Sequence, residues 1–199
     1  MSERTQNQVN EMKKQTIGVE VEMNRITREK AAKLAADFFG TGRYEYTARR
    51  NGYETWSAWD TSGREWKFQK DVSIAGCDSE KCEMVTPILT YDDMELLQEI
   101  IRRLRKAGAR SDATRGCGVH IHIGAKGHTP QTLRNLANIM ASHESLLTES
   151  LACWTANSGH HQQHFIVSQK LKTAAESRLK ITLLSLLRHL IIIMSETDY

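Results

Sequence analysis

Proline is almost missing from this sequence. Pro87 and Pro130 are the only two in 199 residues, and no internal repeat or low-complexity tract accompanies them, which sets aside the compositionally biased classes. Cysteine is scarce too. Cys77, Cys82, Cys117 and Cys153 are the whole set, few for the disulfide framework of a small secreted domain, and they read as reduced thiols. Charge of one sign is also in short supply. The formal net charge of +3 gives no argument for a nucleic-acid partner. No apolar run reaches the ~20 residues of a membrane span. The nearest is residues 181–194, and Arg188 and His189 interrupt it. The polar N-terminus has no signal-peptide pattern, so a cytoplasmic location is expected. What remains, with 40% hydrophobic and 26% charged residues, is the composition of one globular domain with a sizeable core.

Residues 1–15 are polar and read as a flexible leader. A strand is expected over residues 16–23. Thr27 then suits an N-cap, Ala31, Leu34, Ala35 and Phe38 recur at helical spacing, and Gly40 ends the helix. From Tyr44 to Val72 the pattern turns to aromatic-rich strands. The Asp60-Thr61-Ser62-Gly63 turn predicts a hairpin between residues 53–59 and 65–70. After a loop over residues 71–81, a short strand runs from Cys82 to Thr86 and stops at Pro87. The next helix starts near Asp92, carries Met94, Leu97, Ile101 and Leu104 as its apolar stripe, and ends at Gly108. Its closing Arg102, Arg103, Arg105 and Lys106 suit the negative end of the helix dipole and read as a solvated helix end. Thr129-Pro130 opens a long helix to about Trp154, with Leu133, Leu136, Met140, Leu147 and Leu151 on its buried face. Residues 181–194 read as a buried helix or strand that packs imperfectly or against another chain. The mixed order of elements predicts an α+β fold: an antiparallel sheet covered by helices on one face.

Two segments carry the chemistry. In Gly18-Val19-Glu20-Val21-Glu22, the carboxylates alternate with valines; in Cys117-Gly118-Val119-His120-Ile121-His122-Ile123, imidazoles alternate with apolar residues. Residues i and i+2 of a strand share a face. Each strand therefore has an apolar back and a ligand-bearing front. Carboxylates and imidazoles without compulsory thiolate suit Mg²⁺ or Mn²⁺ holding a polyphosphate. Glu83, in the short strand, is a further candidate carboxylate.

Gly18-Val19-Glu20-Val21-Glu22, the Trp66…Asp71-x-Ser73 segment, Glu83-Met84-Val85-Thr86-Pro87 and the Gly118-Val119-His120-Ile121-His122 strand, in this order over residues 16–154, resemble the amidoligase family. That family belongs to the carboxylate–amine ligase superfamily containing glutamine synthetase and glutamate–cysteine ligase. The resemblance implies a glutamine-synthetase-like sheet and a catalytic domain over residues 16–165. It also implies an ATP-dependent ligase that uses Mg²⁺ (or Mn²⁺) to phosphorylate a carboxylate and join it to an amine, giving an amide or isopeptide bond. By motif position, Glu20, Glu22, Glu83 and His120 would be metal ligands. His120 and His122 would contact the bound nucleotide, His122 as ligand or phosphate contact, and Asp71 would lie near nucleotide or substrate. Carboxylate and amine substrates, peptide or protein among them, are the expected partners, with no nucleic acid and no membrane. Relatives continue past the long helix into strands that commonly carry Glu-x-Arg. Here residues 166–199 are set apart as a divergent segment, incomplete or shared with a second copy in a homo-oligomer.

Three rivals compete with this reading. Cys77, Cys82, Cys117 and His120 can be drawn as a Cys₃His zinc site. His-x-His also serves cupin-like barrels, although Gly124-Ala125-Lys126-Gly127 follows where their glutamate would stand. The third is a non-catalytic binding protein of the same fold. His160, His161 and His164 read as part of a polar loop.

Overall fold

The computed structural model describes residues 2–47, 53–124, 129–143 and 146. Among them are six strands in one sheet: β1 (Ile17–Met23), β2 (Tyr44–Tyr46), β3 (Trp56–Trp59), β4 (Glu65–Gln69), β5 (Cys82–Val85) and β6 (Val119–Ile123). Their order is β2-β3-β4-β5-β1-β6, and every neighbouring pair is antiparallel. Four α-helices accompany them: α1 (Glu3–Lys13), α2 (Arg28–Phe39), α3 (Met94–Lys106) and α4 (Pro130–Ser142). The class is α+β, as expected. Among the described residues the sheet is open, with β2 and β6 at its edges, rather than the closed barrel of a cupin.

Alternation builds the core. Val19, Val21 and Met23 of β1, Trp66 and Phe68 of β4, and Cys82 and Met84 of β5 are buried in one cluster. The register pairs them across strands: Val21 opposite Met84, Met84 opposite Phe68, and Met23 opposite Cys82. Helices α2 and α3 cover this back face. Helix α2 presents Ala31, Ala32, Ala35 and Ala36, all fully buried; their small side chains let its backbone lie close to β3 and β4. Helix α3 adds the expected stripe, Met94, Leu97, Ile101 and Leu104, together with Ile100. The caps follow the sequence as well. The Thr27 hydroxyl accepts from Lys30 N–H, and Gly40, at φ 73°, closes α2.

The N-terminal and later segments differ in detail. Residues 3–13, in the stretch read as a leader, are helical, capped by Ser2, and bury no side chain. Helix α4 begins at the expected Thr129-Pro130 but is described only to Ser142. Leu133, Leu136 and Met140 are half-buried there rather than buried. The domain boundary near residue 165, the histidines at 160, 161 and 164, Cys153 and the apolar stretch 181–194 lie outside the described residues. Among the described residues, no helix is long and apolar enough to cross a membrane.

The loop between β4 and β5 is tied down at a distance. Residues 71–76 dock on the turn that leads into β6: Ala75 N–H donates to the Arg115 carbonyl at 2.8 Å. Gly116, at φ 80°, passes so close that an added Cβ would sit 3.1 Å from the Ser73 carbonyl oxygen. Gly40 has a similar φ of 73° but open space around it. Gly40→Ala should therefore cost only the left-handed strain, about 1 kcal/mol. Gly116→Ala should cost clearly more, because the Ser73 loop must also move. Urea denaturation of both variants checks this, and equal losses would contradict the docking.

Candidate metal centre

The front of the sheet carries the opposite set of side chains. In β1–β6 register Glu20 faces His120 and Gly18 faces His122. In β1–β5 register Glu22 faces Glu83, and in β4–β5 register Glu83 faces Gln69. Glu22, Glu83 and Gln69 thus form one cross-strand row, and His120 and Glu20 the beginning of the next. Gly18 in β1 and Gly118 just before β6 lie against the imidazoles: an added Cβ would stand 3.7 Å from His122 Cβ and 3.8 Å from His120 Nε2, respectively.

The groups converge closely. His120 stands between two carboxylates, with Nδ1 3.3 Å from Glu20 Oε2 and Nε2 3.6 Å from Glu22 Oε1. His122 Nε2 lies 3.2 Å from Glu20 Oε2. Gly118 N–H donates to Glu22 Oε2 at 2.7 Å, and Gln69 Nε2 donates to Glu83 Oε2 at 2.8 Å. Asp71, at the end of the docked loop, accepts from Ser73 N–H at 2.7 Å. Two sets of donor atoms come within 4.8 Å of one another: Glu20, Glu83 and His120, and Glu22, Asp71 and Glu83. Glu83 belongs to both.

Glu20, Glu22, Asp71, Glu83, His120 and His122 are therefore all on this face or at its end. Glu20, Glu22, Glu83 and His120 are brought together. Asp71 joins Glu22 and Glu83. His122 touches Glu20 but stands outside both donor sets. Gln69 is the residue that motif reading passes over, although alternation with buried Trp66 and Phe68 marks it as front-facing. Cysteine takes no part among the described residues. Cys82 points into the core on the opposite face from His120, and burial pushes its thiol up to about 12. Cys77 is exposed. The Cys₃His reading is thus corrected: alternation along β5 puts Cys82 behind the sheet.

The electrostatics are those of a crowded anionic site. Burial pushes the Glu22 carboxyl up to about 7, reinforced by Asp71 and Glu83 and opposed by the Gly118 N–H and by His120. Burial also raises Glu83, against the hydrogen bond from Gln69. Burial works on Asp71 in the same sense, but the hydrogen bonds from Ser73, one from Glu22 and the charge of His120 hold it below the usual carboxylate range. Such a set suits a hard divalent cation, which would relieve the repulsion among the carboxylates.

A family model described as "Putative amidoligase enzyme" matches residues 13–189. The chain belongs to this amidoligase family. No curated protein sequence and no solved structure matches it. The match starts just before β1 and takes in all six strands and the front-face residues. It also runs past residue 165. Inside the matched span lies Glu176-Ser177-Arg178, a Glu-x-Arg triplet that the reading of the tail as divergent overlooks; it is outside the described residues.

The raised carboxyl fixes a sign for pH dependence. Unfolded, Glu22 titrates near its ordinary 4.5; folded without metal, at about 7. Across that window the folded chain holds a proton that the unfolded chain has lost, so stability falls as pH rises. The drop should be about 3 kcal/mol, with Glu83 acting in the same direction. Urea titrations in EDTA at pH 5 and pH 7.5 should show it, and Glu22→Gln should remove most of it. A metal-free chain that gains stability over this window would contradict the assignment.

Proposed function

We propose that this amidoligase is an ATP-dependent carboxylate–amine ligase working with two Mg²⁺ or Mn²⁺ ions on the front of the sheet. The observation that carries the reading is the pair of donor sets, Glu20, Glu83 and His120 and Glu22, Asp71 and Glu83, joined through Glu83. Membership of the family supports ligase chemistry. The donor set supports the cations: oxygen and imidazole ligands, no thiolate among the described residues, and buried carboxyls whose crowding raises their affinity for a proton or a cation.

In this reading the cations neutralise the polyphosphate and stabilise the charge that develops during in-line transfer. The chain's own residues divide the remaining work. Glu20, Glu22, Asp71 and Glu83 supply anionic ligands, and His120 supplies a neutral one. His122 contacts phosphate oxygens, a role supported by its approach to Glu20 and its half exposure (47%). The back-face core under β1 and β5 keeps these side chains on a rigid floor. A substrate carboxylate oxygen attacks the γ-phosphorus of ATP, and ADP leaves. The amine then attacks the acyl carbon, phosphate leaves with that oxygen, and the amine's surplus proton passes to solvent. The carboxylate and amine are small molecules, peptides or proteins. The thiols described, Cys77, Cys82 and Cys117, are free, in keeping with a cytoplasmic site of action.

Oxygen labelling tests the route. With ¹⁸O in the carboxylate substrate, chosen by ADP release against a panel of carboxylates and amines with Mg²⁺, one labelled oxygen should appear in the released phosphate. Glu20→Ala and Glu83→Ala should each lower turnover by roughly 100-fold or more. Release of AMP rather than ADP, or phosphate without the label, would overturn the acyl-phosphate route.

A further inference from the structure

We infer that Gln69 is the positioning residue of the two-cation centre, its amide fixing the Glu83 carboxylate in the orientation that serves both donor sets. The inference rests on the cation reading proposed for this site and adds a residue that the ligand motifs do not include. Gln69 lies directly opposite Glu83 in the β4–β5 register, and its Nε2 donates to Glu83 Oε2 at 2.8 Å. Glu83 is the residue common to the two donor sets. It is also buried, at 8% exposure, so bulk water does little to hold it.

The terminal torsion of a glutamate is broad and roughly two-fold. Its carboxyl neighbours Glu20, Glu22 and Asp71 make no hydrogen bond to it that would orient it. A single amide donor does. It occupies one lone pair of Oε2 and leaves Oε1 and the second lone pair of Oε2 for cations. With cations bound Glu83 is ionised, so the amide must turn its N–H toward it. A lysine here would compete with the cations, and a further acid would add repulsion. Neutral glutamine orients the ligand without changing the charge of the site.

Gln69 is itself held in place. Buried Trp66 and Phe68 fix the register of β4 from behind. Immediately after Gln69, Lys70 N–H donates to the Tyr53 carbonyl at 2.7 Å, and Lys70 Nζ pairs with Asp78 at 2.5 Å and Glu54 at 3.5 Å. The amide therefore sits on an anchored strand end.

Mn²⁺ binding to the full chain, counted by the loss of the free-ion paramagnetic resonance signal, tests this. Gln69→Met keeps the length of the side chain and removes the donor. It should weaken Mn²⁺ binding at both sites by roughly tenfold or more, while the melting temperature in EDTA stays close to wild type. Gln69→Asn, which keeps an amide but draws it back by one methylene, should show the same loss. Wild-type affinity in both variants would overturn the inference. So would an affinity loss matched by an equal fall in EDTA melting temperature, which is the mark of a purely structural role. A wild-type chain that binds no Mn²⁺ at millimolar concentration would overturn the cation reading itself, and this inference with it.

Discussion

Strand β1 has neighbours on both sides, β5 and β6, so its backbone is committed to the two ladders and only its side chains can differ between faces. That constraint organises the molecule. Three alternate positions, Val19, Val21 and Met23, are buried in the core. The intervening Glu20 and Glu22 have no choice but the other face. A one-residue slip against either neighbour would drive carboxylates into the apolar core and expose the valines. The apolar face therefore supplies the energy that keeps the anionic face assembled. Packing under β1 and chemistry above it share one backbone.

The anionic face is held at a cost. Buried Glu22 and Glu83 meet half-buried Asp71, and burial with the neighbouring carboxylates raises the Glu22 carboxyl to about 7. Gly118 N–H, the Gln69 amide and the Ser73 N–H each satisfy one carboxylate. His120 sits between Glu20 and Glu22. None of these groups brings the fixed positive charge of a lysine or arginine into the centre. Two arginines of this domain are used elsewhere: Arg28 binds the Asp78 and Lys81 carbonyls and the Glu54 carboxylate, and Arg64 bridges Asp60 and Asp93. A donor cluster that, among the described residues, holds no lysine or arginine is suited to a counter-charge that arrives with the ligand.

Much of this could be read from the chain. The alternation in residues 18–23 and 119–123 gives both strands and the side each presents, because the strand period is fixed at two. The Thr27 and Gly40 caps and the Asp60–Gly63 turn carry their own local chemistry, and the structure keeps them. What could not be read was contact between distant segments. That β5 and β6 flank β1 depends on the whole sheet. Asp71 reaches Glu22 only because its loop docks through Ala75 and Gly116 on the turn before β6, and no local pattern encodes that. Gln69 was visible as a front-facing residue, but its pairing with Glu83 is a matter of register. The cysteines misled in the opposite way: their spacing permits a zinc site, whereas strand alternation sends Cys82 to the far side of the sheet.

Anomalous diffraction from crystals grown with Mn²⁺ and a non-hydrolysable ATP analogue tests most directly whether these residues hold two cations that share Glu83. Two peaks are expected on the front of the sheet, one among Glu20, Glu83 and His120 and one among Glu22, Asp71 and Glu83, each with ligand atoms at roughly 2–2.5 Å. A single peak at the histidines without Glu83, or ions bound away from this face altogether, would contradict it.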